Sequence, residues 1–298
     1  MDKPLKELLV KLTEEHGAPG FEEPIKELIK KEIKGHCDSV TEDNIGNLII
    51  KKGNGKPVYM IAAHMDEIGL IIRHIDKKGF VWFVPMGGFY DPMIIGMNVL
   101  IHTDKGEIRG IIGGKPVHIM DQEERQKVIK WKDLYIDVGV DSRQDAEKLG
   151  VQIGQSATFV QKTVELAGNR FAGKAMDNRA GVLAMIEIVK HLKTFKGTLY
   201  AVGTVQEEVG VKGARVATFK LKPDFAFAID VTFGGGEPGI KPQESDVRMG
   251  KGPSINYAEA GGIGLIANPK LNKFLLDIAK KEKIPIQLEA TRDRKSVV

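Results

Sequence analysis

An alternation of helical and strand patterns, broken once by a long run of short strands, constrains this chain more than any single residue does. From about Gly69 to about Gln161 come closely spaced apolar segments, GLIIRHI, GFVWFV, NVLIHT, EIRGIIGG, LYIDVGV and SATFV, separated by Gly and Asp turns. Such spacing predicts a β-rich unit. Two helical pieces are expected inside it, over MDQEERQKVIK and over DSRQDAEKL, the second opened by Asp141 or Ser142 as N-cap.

The periodicity on either side is different. Leu5, Leu8, Leu9 and Leu12 recur at helical spacing, as do Ile25, Leu28, Ile29 and Ile33 after the GAPGF turn. NLIIKK and PVYMIAA, split by GNGK, read as strands, the second ending at His64. After Gly173, a helical stripe of Val182, Met185, Ile186 and Val189 is followed by the strands TLYAVGTVQ and FAFAIDV. A last helix has Asn268 as N-cap, Pro269 at its first position, and Leu271, Phe274, Leu275 and Ile278 on one face, with PIQLEA as a further strand. The expected fold class is α/β: a mixed, largely parallel sheet flanked by crossover helices, built from residues 1–68 and 162–298, with the β-rich unit 69–161 inserted.

Composition narrows the function. With 42% hydrophobic and 28% charged residues over 298 positions, one or two soluble domains are expected. Lys and Arg number 44 against 40 Asp and Glu, with the signs interleaved, so no basic arm points to nucleic acid. No apolar run approaches the roughly 18 residues that span a bilayer, and the charged start MDKPLKELLVKLTEEHG does not read as a signal peptide. The lone Cys37 excludes an internal disulfide framework and a Cys-based zinc site, so a cytoplasmic location is expected.

Chemistry-bearing residues cluster just past the apolar strands: His64 and Asp66 after VYMIAA, Glu207 and Glu208 after TLYAVGTVQ, and Asp230 after FAFAI. Open α/β sheets bind ligands outside the carboxyl ends of their strands, so these distant residues can meet in one crevice. Asp177 joins them as the expected N-cap of its helix. Each alone has an ordinary explanation, as cap, turn residue, solvated loop or satisfied buried histidine. Jointly, one imidazole and several carboxylates suit Zn or Co better than Mg or Ca. A two-ion hydrolase needs one carboxylate left as proton acceptor, and the Glu207–Glu208 doublet can supply both a ligand and a base. A carboxylate-pair glycosidase is a weak alternative, since neighbours on an extended chain point to opposite sides and would not flank a glycosidic bond.

Four ordered motifs, AHMDEIG, GKAMDNRAG, VQEEVGVKGA and AIDVT, resemble the M42 metallo-aminopeptidases, co-catalytic peptidases that form self-compartmentalised tetrahedral particles. GAPGFEEPIKELI, GPSINYAEAGG and NPKLNKF are similar too, so the resemblance covers nearly all of residues 1–290. It implies a zinc-peptidase-like fold with an inserted β-rich dimerisation domain, and cleavage of N-terminal residues from peptides with two divalent ions, Zn or Co. It further implies that His64 and Asp230 hold one ion, that Asp177 bridges, that Glu208 helps hold the second, that Glu207 is the base, and that Asp66 orients the histidine. Dimers assembling into a dodecamer are the implied homo-oligomer. The family has a further histidine ligand near its C-terminus, whereas no histidine follows His191 here and the chain ends TRDRKSVV. That end is read as truncated, altered or degenerate, with a weakly held second ion, and a catalytically impaired scaffold homologue is the alternative. His16 and His191 are expected to close helices, and His36, His74, His102 and His118 to be structural or exposed. Cys37 is expected to be inert. Gly262 to Ala267 matches G-x-G-x-x-A but lacks the strand–turn–helix setting of a dinucleotide loop, and Gly234 to Gly236 reads as a turn.

Overall fold

The computed structural model describes residues 2–259 and 265–290. Its N-terminal elements are α1 (Lys3–Glu14), α2 (Glu23–Glu32), β1 (Ser39–Glu42), β2 (Leu48–Asn54) and β3 (Val58–His64). Next come β4 (Gly69–Ile75), β5 (Val81–Met86), β6 (Asn98–Thr103), β7 (Gly106–Gly113), α3 (Gln122–Gln126), β8 (Tyr135–Asp137), α4 (Arg143–Leu149) and β9 (Ser156–Phe159). The chain continues through β10 (Val164–Leu166), β11 (Arg170–Ala172), α5 (Met176–His191), β12 (Gly197–Thr204), α6 (Lys212–Leu221) and β13 (Phe225–Ala228). It closes with β14 (Ser254–Asn256), α7 (Pro269–Lys281) and β15 (Gln287–Glu289).

The largest open sheet has the order β1-β2-β12-β3-β13. It is mixed, as expected, but parallel pairing is confined to β12–β3 and β3–β13, while β1–β2 and β2–β12 are antiparallel. Connection length accounts for the β1–β2 pair and for the parallel pairs, though not for β2–β12, whose connection is long. β1 returns as β2 through a short turn in which the Asp43 carboxylate accepts from the amides of Ile45, Gly46 and Asn47, whereas parallel pairs need long crossovers, here containing α5 and α6. Side chains alternate across the sheet. Ile50, Ile61, Ala63, Leu199 and Ala201 pack against Leu12 of α1, Ile29 of α2 and Ile186 of α5. The alternate positions Ile49, Met60, Ala62 and Val202 pack with Ala217 of α6. β13, despite its apolar sequence, lies at the sheet margin and is only half-buried.

The β-rich stretch is a closed barrel of order β4-β5-β8-β7-β6-β9, filled by Leu70, Ile72, Phe83, Val99, Ile101, Ile136 and Ala157. Closure leaves these strands without open edges to aggregate. α3 is shorter than its sequence predicts: Asp121 and Glu124 form a capping box that starts a helix ending at Gln126, before KVIK. Ser142, not Asp141, caps α4 by accepting from the Asp145 amide. His16 does not close α1, which ends at Glu14. Asn268 caps α7 as expected, but Phe274 on its apolar face remains 56% exposed. The Gly262 to Ala267 match and the TRDRKSVV end lie, through 260–264 and 291–298, outside the described residues. Among those residues no helix is long and apolar enough to cross a membrane.

The packing sets a stability ranking. Ile186→Ala, at a fully buried position of the larger core, should cost about 2–5 kcal/mol in urea unfolding. Ile188→Ala, on the same helix but 38% exposed, should cost distinctly less; equal losses would contradict the assignment of the buried face.

Candidate active site

The sheet delivers His64 at the carboxyl end of β3, 1% exposed, with its ring facing a cluster of carboxylates. Nε2 lies 2.9 Å from Asp177 Oδ1 and 3.9 Å from both Glu207 Oε2 and Asp230 Oδ1. One donor atom each from His64, Asp177 and Glu208 lie within 4.8 Å of one another. On the other ring edge, Nδ1 is 3.1 Å from the Asp66 backbone carbonyl and 3.6 Å from its Oδ1. The backbone oxygen is thus the nearer partner of the ring. All six residues singled out in the sequence are brought together.

The carboxylate of Asp66 has a further task. Its two oxygens accept from the backbone amides of Glu207 and Glu208, each at 3.0 Å. The two preceding amides are also held by buried side chains: Gln206 donates to Glu22 Oε1 at 3.1 Å and Val205 to Asn47 Oδ1 at 3.1 Å. Four successive N–H groups past the end of β12 therefore have side-chain acceptors, which fixes a segment with no ladder partner. Gly213 is required beside it, since a Cβ there would lie 2.4 Å from Asn47 Oδ1. The Glu207 carbonyl then accepts from the amides of Gly210 and Val211, closing a turn. The doublet is therefore not extended, and both of its side chains reach the site instead of pointing to opposite sides.

Asp177 is not the N-cap of α5. Ala175 occupies that position, and Asp177 has non-helical backbone angles, with its carboxylate turned to His64 instead. The neighbouring Asn178 anchors the turn: its Nδ2 donates to the Ile229 carbonyl, and its Oδ1 accepts from the Gly181 amide. The segment bearing Asp177 is thereby tied to the segment bearing Asp230. Lys174 pairs with Glu67 at 2.6 Å, and the fully buried Arg179 donates to the carbonyls of Leu12 and Glu15 at the end of α1.

Crowding shapes the electrostatics. Burial pushes Glu207 up to about 7, opposed by His64 and reinforced by Asp66, Asp230 and Asp177. Burial likewise pushes Glu208 up to about 8, again opposed by His64 and reinforced by Asp177, Asp66 and Glu207. His64 is held well above its usual range: burial works against its charge, but Asp177, Asp66 and Asp230 outweigh it. A buried imidazole among carboxylates that repel one another is a donor set that fits divalent cations, which would relieve the repulsion.

The model of the M42 glutamyl aminopeptidase family matches residues 46–296. The chain belongs to the M42 peptidase family. A lysyl aminopeptidase of Pyrococcus furiosus is 38% identical to it over 285 residues, spanning 95% of this chain and 80% of the relative. The crystal structure of a TET aminopeptidase from a marine-sediment Thaumarchaeota archaeon superposes with a TM-score of 0.94 at 33% identity, covering 98% of this chain and 82% of that one. The TET1 peptidase of Pyrococcus horikoshii, which can assemble into a tetrahedron or a large octahedral shell, gives a TM-score of 0.88 at 38% identity over 96% of this chain and 84% of its own. As an M42 aminopeptidase this chain is a hydrolase.

Sequence reasoning missed the residues that position this cluster: Asn47, Glu22 and Asn178. Each sits in a motif already noticed for other reasons, but its acceptor or donor lies at least 51 positions away. Asp66→Asn replaces an acceptor of one of two neighbouring amides with a donor. It should cost about 1–3 kcal/mol of stability and lower hydrolysis of aminoacyl chromogenic amides about 10–100-fold. An unchanged rate would show that the doublet does not depend on that carboxylate.

Proposed function

We propose that this chain is a metal-dependent aminopeptidase that removes N-terminal residues from short peptides, using two divalent ions of the zinc or cobalt class. The supporting observation is the convergence of His64, Asp177 and Glu208 donors within 4.8 Å, with Glu207 and Asp230 facing the same imidazole nitrogen. In this reading His64 and Asp230 would hold one ion, Glu208 would help hold the other, and Asp177 would be shared between them. Ions so held would polarise the scissile carbonyl and lower the pKa of a water. Glu207 accepts the proton of the attacking water and passes it to the leaving amine. Asp66 positions both partners, holding the His64 ring through its carbonyl and the Glu207 amide through its carboxylate.

The working division is a catalytic unit of residues 1–68 and 162–298 with an inserted oligomerisation unit at 69–161. The barrel exposes Met93, Val117 and Ile119, each more than half accessible, which accords with an interface between copies. Dimers formed through this unit and assembling into a dodecamer are the proposed form, supported by the shells of the Pyrococcus horikoshii relative. The lone Cys37 accords with a reducing, cytoplasmic setting.

A panel of aminoacyl chromogenic amides tests the activity. Hydrolysis should disappear with chelator and return with zinc or cobalt, and cellulosic substrate should be untouched. Glu207→Gln should lower the amidase rate about 10²–10⁴-fold with unchanged metal content. A full rate in that variant would remove Glu207 as base, and no hydrolysis under any metal loading would favour a scaffold without turnover. For assembly, Ile119→Lys should shift the mass measured by light scattering to smaller species; an unchanged mass would exclude that face.

A further inference from the structure

The barrel reaches the carboxylate cluster where β5 ends. Met86, its last residue, pairs with Gly69 at the start of β4, and the chain runs on into Gly87 and Gly88. Gly87 has φ +91°, and a Cβ built on it would lie 2.6 Å from Ile68 Cγ2, 3.2 Å from Ile68 Cβ and 3.2 Å from Glu208 Oε2. Glu208 lies far along the chain, past β12, so tertiary structure alone brings the two together. At Gly88 a Cβ would have nothing within 4 Å. Of the two adjacent glycines, one is therefore pressed against Glu208 and the other faces open space.

A second contact of bare backbone holds the barrel at this depth. A Cβ at Gly69 would lie 2.9 Å from Ala18 Cβ and 3.1 Å from the Ala157 carbonyl oxygen. Ala18, in the turn after α1, is fully buried. Both strands of the β4–β5 pair thus end in a glycine that touches the catalytic unit, one against Ala18 and one against Ile68 and Glu208. Approach this close requires that no side chain intervene.

The contact limits what Glu208 can do. Its amide is already held by the Asp66 carboxylate at 3.0 Å, but a glutamate side chain keeps several rotamers unless something excludes them. Backbone packed against Oε2 excludes those that swing the carboxylate toward the barrel. The side chain is left where one donor atom each from His64, Asp177 and Glu208 lie within 4.8 Å of one another. We propose that Gly87 is a positioning residue of the hydrolytic site: through it the barrel forms the wall against which the Glu208 carboxylate rests. The inserted unit thereby completes the cleft, in addition to the role between copies given above. This inference rests on the reading in which Glu208 helps hold an ion.

Gly87→Ala tests it, with Gly154→Ala as the matched control. Gly154, also in the inserted unit, has φ +92° but nothing within 4 Å of a Cβ. Both variants therefore carry the same left-handed backbone strain, and only one meets Glu208. At Gly87 the added methyl faces Ile68, which is β-branched and stiff, and the end of the Glu208 side chain, which gives way more easily. Both variants should lower Tm and leave circular dichroism unchanged. Gly87→Ala alone should weaken zinc binding by the full chain about 10–100-fold, measured by competition with a chelator. At saturating zinc it should lower kcat for aminoacyl chromogenic amides while KM stays within about twofold. In crystals of the chelator-treated Gly87→Ala chain, the Glu208 carboxylate should be displaced from the His64 and Asp177 donors. An undisplaced carboxylate, or zinc affinity and kcat equal to those of Gly154→Ala, would overturn the proposal. The carboxylate position is read without metal, so an unaltered chain that binds no zinc would count against the metal reading, and the crystal comparison would still decide the role of Gly87.

Discussion

Four backbone amides in a row, from Val205 to Glu208, are held by three buried side chains, and the geometry of the cleft depends on that clamp. β12 ends at Thr204, so beyond it the chain has no strand to pair with, and a buried N–H without an acceptor is expensive. Asn47, Glu22 and Asp66 supply the acceptors from three separate parts of the chain. The doublet is thereby aimed at His64 from a segment without regular structure, and its precision comes from side-chain acceptors that are themselves enclosed.

The same economy governs the GKAMDNRAG segment. Lys174 neutralises Glu67, Asp177 faces His64, Asn178 ties the start of α5 to the exit of β13, and Arg179 satisfies carbonyls that α1 leaves open at its end. A buried ion pair such as Lys174–Glu67 loses much of its Coulomb attraction to desolvation, and burial indeed lowers the lysine despite its partner. Its contribution is chiefly to position: it sets α1, the loop after β3 and the start of α5 in one register, and two of these three elements border the carboxylate cluster.

Much of the scaffold was legible because hydrophobic periodicity is a local property. The stripes of α1, α2 and α5 face the sheet as their spacing predicts, and the dense short strands after Gly69 close into a barrel. Strand direction was harder to read: the run NLIIKK carries no mark of the antiparallel partner it finds in β12, more than 140 positions away. Helix ends were resolved only by geometry, as with Ser142 over Asp141, because both residue types can cap and only one has its oxygen over the Asp145 amide. Asp177 was placed as a cap for the same reason, yet a competing partner, His64, draws its carboxylate away.

The sequence by itself determined the apolar patterns, the interrupted order of helices and strands, and the positions of acidic and imidazole groups past the strand ends, because these follow from local spacing and residue chemistry. Tertiary structure alone decided which groups face one another. The separation of His64 from Asp177 and Asp230, the capture of the Glu207 and Glu208 amides by Asp66, and the stacking of His16 on His102 all join residues 85 or more positions apart. Such meetings depend on sheet order, helix packing and barrel closure, which arise from the summed burial of the whole chain and leave no trace in the spacing of any one segment.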